Sequence, residues 1–328
     1  MDILALAWCG LIAFAVIMYV LLGGFDLGIG ILSVFIRDGH ERDLMVASIL
    51  PVWDGNQTWL VLGGAALYGA FPLAFSTILP IMYIPIFIMV IALLFRGIAF
   101  EFRLKAIKTK FLWEICFFLG SITAAITQGF VLGTFVRGFD LTKGVHYQWF
   151  NYFSILCGMG LIFGYVLLGA NYLIIKTEGK LQKKCYNISS KVQYFILFAF
   201  IAVSICSPFL DPSIKARWFD PANMPFLAIL PLLTLILFVM HWRALKKHQE
   251  HLPFWCVIGM FLMCYIGFII SSYPYIVPRE ITYQAAASDS SALIFMLVGA
   301  LIMLPILLYY TYHAYRVFRG KVTEVVKY

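Results

Sequence analysis

The stretch from Ile3 to Ile36 reads ILALAWCGLIAFAVIMYVLLGGFDLGIGILSVFI and contains one charged residue, Asp26. A helix needs about 20 predominantly apolar residues to cross the hydrocarbon of a bilayer, so this segment is long enough by itself. No basic residue precedes it, and it far outruns the roughly 7–15 residues of a signal-peptide core. It reads as an uncleaved first span. Working outward, comparable runs fall near 5–36, 44–71, 75–102, 112–136, 150–175, 193–210, 224–242, 253–272 and 292–318. Lipid cannot hydrogen-bond a bare backbone, so runs of this kind are helices. The strict alternation of a barrel strand is absent. The expected fold is therefore all-α, a polytopic membrane protein with nine transmembrane helices in one integral membrane domain, 1–328.

Composition agrees. Of 328 residues, 62% are hydrophobic and 12% charged, about half the charge of a soluble domain. The net charge of +8 reflects loop asymmetry and gives no reason to expect nucleic acid. With nine spans, eighteen Lys and Arg fall after odd-numbered spans, from Arg37 and Arg42 to Arg316, Arg319, Lys321 and Lys327. Five fall on the other side: Arg137, Lys143, Lys215, Arg217 and Arg279. By the positive-inside rule the N-terminus is outside and the C-terminus cytoplasmic. The longest external pieces, 137–148, 211–223 and 274–291, carry Pro, Asp and aromatic residues and read as ordered caps. The seven cysteines form no C-x-x-C pair and read as buried thiols. No convincing internal repeat is evident.

Charges within spans are costly and mark pathways more often than accidents. Asp26 lies in Gly23-Gly24-Phe25-Asp26-Leu27-Gly28-Ile29-Gly30, and Asp54 in Pro51-Val52-Trp53-Asp54-Gly55-Asn56-Gln57-Thr58-Trp59. Arg96, Glu101 and Arg103 lie in Phe95-Arg96-Gly97-Ile98-Ala99-Phe100-Glu101-Phe102-Arg103. Counting inward at 1.5 Å per residue puts Asp26 and Asp54 roughly 15 Å from the cytoplasmic ends of their helices. Arg96 falls about 13 Å deep and Glu101 about 6 Å deep. The series resembles a ladder for protons. A plainer reading has Asp26 and Asp54 pairing with Arg96 to hold three helices in register, with Glu101 pairing to Lys105. Glu114 reads as a partner of a helix N-terminus, and Gly24-x-x-x-Gly28 as a close-packing signal. Trp53 and Gln57 share one helix face, Asp54 and Thr58 the adjacent one. An aromatic in such polar company suits a cofactor wall or a wet channel. The six histidines, His40, His146, His241, His248, His251 and His313, read as lying outside the deep part of any span, so no axial pair for a haem is expected here.

At these segments the chain resembles subunit II of cytochrome bd quinol oxidases. The resemblance runs through Gly24–Gly30, Trp53-Asp54-Gly55-Asn56-Gln57-Thr58-Trp59-Leu60 and Phe95-Arg96-Gly97. It continues through Leu168-Gly169-Ala170-Asn171-Tyr172-Leu173, Lys176-Thr177-Glu178-Gly179 and Ser272-Tyr273-Pro274-Tyr275-Ile276-Val277-Pro278. The Trp-Asp-Gly-Asn element is its most specific part. The resemblance implies two four-helix bundles (1–137 and 150–272) and a peripheral ninth helix (291–319). It implies a bacterial cytoplasmic (inner) membrane protein that forms a heterodimer with a haem-bearing subunit I, with room for small accessory subunits. Haem b and haem d would be ligated by that partner, and membrane quinol oxidised as O₂ is reduced to water with cytoplasmic protons. Trp53 and Asp54 match a pair near the haem pocket at the subunit interface; Asp26, Arg96 and Glu101 match polar positions of a proton path. Gly97, where some relatives carry Pro, points to the cyanide-insensitive branch. The alternatives are a proton-coupled secondary transporter and a purely structural assembly subunit.

Overall fold

The structure, a computed structural model, describes residues 2–106, 108–144, 147–210 and 212–323. His146, Asp211 and Lys327, and the side chain of Lys143, lie outside the described residues. Among the described residues thirteen α-helices occur in chain order: α1 (Asp2–Leu32), α2 (Gly39–Ile49), α3 (Trp53–Ala70), α4 (Pro72–Lys105), α5 (Lys110–Arg137), α6 (Tyr152–Lys176), α7 (Gly179–Leu210), α8 (Pro212–Phe219), α9 (Met224–Leu227), α10 (Ile229–Lys246), α11 (Leu252–Ser272), α12 (Tyr283–Ala286) and α13 (Ser290–Val317). A hairpin of β1 (Tyr275–Val277) and β2 (Ile281–Thr282) joins α11 to α12. With α8 it makes up ordered caps of the kind expected for those loops.

Among the described residues, eight helical segments are long and apolar enough to cross a membrane. The expected second span, 44–71, is instead two helices. Pro51 has no N–H to continue the ladder, and Val52 donates to Ile49 O at 3.0 Å in a tight turn. The helix restarts at Trp53, and the polar run Asp54-Gly55-Asn56-Gln57-Thr58 occupies its first turns.

The core forms where α1 crosses α6. A Cβ added at Gly28 would lie 1.7 Å from the carbonyl oxygen of Tyr165, and one at Gly169 would lie 2.7 Å from the Ile29 nitrogen. Glycine is required because the two backbones touch, and such small-residue crossings are how membrane helices gain packing energy. The crossing also exposes a repeat that inspection of the sequence passes over. Tyr19-Val20-Leu21-Leu22-Gly23 on α1 recurs as Tyr165-Val166-Leu167-Leu168-Gly169 on α6. The two tyrosines meet at one side chain on α5. Gln128 Nε2 donates to Tyr19 Oη at 2.8 Å, and Tyr165 Oη donates to Gln128 Oε1 at 2.7 Å.

α13 lies at the periphery, with Leu293 as its one buried residue, and is fastened at both ends. At one end Trp8 Nε1 donates to Leu293 O at 3.2 Å and Ser288 Oγ to Gly69 O at 2.8 Å. At the other, the segment after α13 folds onto the loops of the second half. The Lys176 ammonium donates to the carbonyls of Phe318 and Gly320, and Val322 N donates back to Lys176 O at 2.8 Å. Lys321 Nζ pairs with Glu250 at 2.7 Å.

Candidate functional site

Asp26 is fully buried, in the α1 segment that packs on α6. Its Oδ2 accepts from Asn56 Nδ2 at 2.8 Å. The same amide nitrogen reaches Leu22 O at 3.2 Å, and Asn56 Oδ1 accepts from Tyr315 Oη at 2.9 Å. Three helices, α1, α3 and α13, thus converge on one carboxylate. Arg96, on α4, is 1% exposed and acts electrostatically on both Asp26 and Tyr19. Its guanidinium carbon lies 5.0 Å from the ring centre of Phe100 and 5.7 Å from that of Phe117, close enough for cation–π attraction. Among the described residues, Asp26 Oδ1 and Arg96 Nε and Nη2 are buried without a hydrogen-bond partner. Such atoms are rare and signal function or a bridging group.

The remaining sequence candidates are placed differently. Trp53 is half-buried. It stacks on Phe100 with ring centres 4.9 Å apart, and its ring lies 3.3 Å from where a Cβ on Gly97 would be. Gln57, on the Trp53 face, has both amide atoms buried and unpartnered among the described residues. Asp54 and Thr58 share the outer, exposed face of α3. Asn56 therefore occupies the place beside Asp26 that the depth argument gave to Asp54. Depth was counted along a continuous helix; the turn at Pro51 reset the rotation, and two residues of helix turn Asn56 to the side opposite Asp54. Glu101 is likewise exposed, off the line of Arg96, Phe100 and Arg103, all buried.

Arg103 ends that line in a cluster of ion pairs. It reaches Asp43 Oδ1 at 2.7 Å and Glu114 Oε1 at 3.1 Å; Arg42 pairs with Glu114 at 2.5 Å and Lys110 with Asp43 at 2.9 Å. Glu114 is thus a partner of two arginines from other helices, more than a cap of its own.

A second polar centre, missed in the sequence, lies between α6, α7 and α10. His241, placed by sequence outside the deep part of its span, is completely buried. Gln193 Nε2 donates to Ser190 O at 2.9 Å, and a carbonyl can only accept. This turns Gln193 Oε1 toward His241 Nδ1 at 3.1 Å, so Nδ1 carries the proton. Nε2 then accepts from Asn171 Nδ2 at 3.1 Å, and Ser189 Oγ donates to Asn171 Oδ1 at 2.9 Å. Both ring nitrogens of His241 are thus engaged within the protein. A buried Asn171 in a span that otherwise reads as apolar was the signal available.

The family model described as Cytochrome bd terminal oxidase subunit II matches residues 4–318. The chain belongs to that family. It is 29% identical over 334 residues to the cytochrome bd ubiquinol oxidase subunit 2 of Bacillus subtilis, covering 97% of this chain and 96% of the relative. It is 25% identical over 371 residues to the cytochrome bd-I ubiquinol oxidase subunit 2 of Escherichia coli K12, covering 98% and 96%. A chain in the structure of bd oxidase from Geobacillus thermodenitrificans superposes with a TM-score of 0.77 at 16% identity, over 97% of this chain and 99% of that one. That likeness concerns the fold. Membership of the cytochrome bd subunit II family makes the chain a multi-pass component of a quinol-oxidising electron-transport enzyme.

Proposed function

We propose that the chain is the subunit of a membrane quinol:O₂ oxidoreductase that passes cytoplasmic protons toward the O₂-reducing haem of its partner. Haem b and haem d are held by subunit I, which oxidises quinol; this chain keeps a carboxylate ready in the membrane interior. The observation that carries the reading is Asp26. One of its oxygens is held by Asn56; among the described residues the other is free of partners, and a buried arginine, Arg96, with no ion pair lies near enough to act on it electrostatically. A carboxylate committed to a direct ion pair holds its charge; one with an open oxygen beside a cation can take and release a proton.

In this reading the pair α2–α3 crosses the membrane as one broken span, giving nine crossings with the N-terminus outside. Asp54 is a second carboxylate of the path, but it serves across an interface. A charge facing acyl chains costs several kcal/mol, so the α3 face that carries Asp54 and Thr58 is where the partner subunit docks. Trp53 and the unpartnered Gln57 amide lie beside that face. Glu101, exposed at the end of α4, collects protons at the cytoplasmic surface, and Arg96 sets the charge balance around Asp26.

The test is quinol-driven O₂ uptake by the assembled enzyme carrying Asp26→Asn, whose amide cannot carry a proton. Turnover should fall by about a hundredfold while haem spectra stay normal. Undiminished turnover would leave the chain a structural subunit.

A further inference from the structure

The geometry points to Phe100 as the residue that controls proton access to Asp26 and Arg96 from the cytoplasmic ion cluster. The inference rests on the proton-delivery reading above and adds a barrier to it. Arg96, Phe100 and Arg103 succeed one another along the buried face of α4, at spacings of four and three residues, and all are at most 2% exposed. On one side of the ring are Asp26, Asn56, Tyr19 and the unpartnered atoms of Arg96. On the other are Arg103, Asp43, Glu114, Arg42 and Lys110, joined by ion pairs of 2.5–3.1 Å. Seven residues of helix separate the two arginines, roughly 10 Å, and the space between is closed by rings. Trp53 stacks on Phe100 at 4.9 Å and 20°, and Phe117 meets it edge-on at 4.9 Å and 64°.

Three aromatic side chains from α3, α4 and α5 thus form one apolar layer between two polar clusters. A proton cannot cross such a layer by hydrogen-bond exchange, since the rings offer no acceptor in line. It crosses when Phe100 swings aside. Gly97 leaves room for the motion: a Cβ there would crowd the Trp53 ring at 3.3 Å, so its absence keeps the ring that lies on Phe100 free of a tight contact with α4. Arg96 draws the ring closed through its cation–π contact of 5.0 Å.

The experiment uses the two arginines as reporters, because guanidinium groups always carry exchangeable N–H. The assembled enzyme, labelled with ¹⁵N-arginine, is transferred to D₂O, and loss of the Nε–H signals is followed by solid-state NMR. Arg96→Lys and Arg103→Lys assign the two signals. Arg96 and Arg103 are almost equally inaccessible, but Arg96 lies about two helical turns farther from the end of α4, so the deciding readout is how its rate responds to Phe100. The barrier predicts that Arg96 exchanges at least about tenfold more slowly, and that Phe100→Ala brings it close to Arg103. Phe100→Leu, which keeps most of the volume, serves if the alanine variant does not assemble, and should move Arg96 in the same direction. Equal rates in the unaltered enzyme, or an Arg96 rate indifferent to both substitutions, overturn the inference. Neither result depends on turnover, so a failure of Asp26→Asn to slow the enzyme is distinguishable from a failure of the barrier.

Discussion

Two buried polar centres, one around Asp26 on α1 and one around Asn171 on α6, differ in whether their polar atoms are satisfied. Around His241 the polar side-chain atoms of His241, Asn171 and Gln193 all have partners, and no formal charge is involved. Around Asp26 there are two charged groups, and three of their polar atoms lack partners among the described residues. A satisfied neutral network fixes how helices pack. An unsatisfied charged one raises the energy of the resting state and persists where something must come and go. Burial of a polar residue in a span is therefore weak evidence of function by itself; open valence beside a charge is stronger.

The largest effect should come from breaking the frame that both centres share. In Gly28→Ala the new methyl would meet backbone atoms of Tyr165, which no rotamer change can relieve. Overpacking of this kind costs about 3 kcal/mol or more, and the assembled enzyme should be lost or melt well below the unaltered one. Gly10→Ala, on the same helix with open space around it, should leave thermal unfolding unchanged. Equal stability of the two variants would mean that α1 and α6 do not touch as described.

His241→Leu sharpens the contrast between the centres. It strands Asn171 and Gln193 without their imidazole partner, at about 1–3 kcal/mol for each buried group left unpaired. The melting temperature should fall while quinol-driven O₂ uptake per assembled enzyme stays within about twofold. A loss of turnover as deep as that expected for Asp26→Asn would erase the distinction. A smaller effect is expected from Tyr315→Phe, which removes one hydroxyl. Asn56 Oδ1 loses its donor, worth about 1 kcal/mol. The amide becomes freer to rotate away from Asp26, so turnover should drop about two- to five-fold with intact haem spectra. An unchanged rate would show that the bonds of Asn56 Nδ2 to Leu22 O and Asp26 suffice to set its orientation.

Much of this was legible in the sequence, and the part that was not has a common cause. The run from Ile3 to Ile36 decides the membrane class because apolar length maps directly onto bilayer thickness. Asp26 and Arg96 could be singled out because charge in such a run is costly. Depth, however, is a count along one axis, whereas contact depends also on rotation about it. Asp54 and Asn56 are at almost the same depth on opposite sides of α3, and Pro51 decides which of them turns inward. Glu101 and Arg103 differ in the same way on α4. Tyr315 and the Tyr19–Tyr165 pair join helices far apart in the chain, so local spacing carries no trace of them. The repeated Tyr-Val-Leu-Leu-Gly was the one visible sign that α1 and α6 are counterparts.

The two halves are not independent, and the smallest expected effect shows how they are joined. Tyr315 serves the first centre, yet the chain that follows its helix is held by the second half, through Lys176 and Glu250. Glu250 lies in the loop between α10 and α11. The Lys321 ammonium and the Gln182 amide, at 2.7 and 2.9 Å, hold its carboxyl below the ordinary carboxylate range. A carboxyl with a lowered pKa in the folded state stabilises the fold fully above its unfolded value, about 4.3. That contribution is lost as pH falls through the lower folded value. A nitroxide at Thr323→Cys should therefore report a held tail at neutral pH and a looser one only below about pH 4. Glu250→Gln, which cannot ionise, should loosen it at neutral pH. Because Lys176 grips the same segment through backbone carbonyls, the release should be partial and turnover should change little. A tail equally held in Glu250→Gln would place the clasp on Lys176 and on the weaker Lys321–Glu178 pair at 3.8 Å, and leave Glu250 without a part in positioning α13.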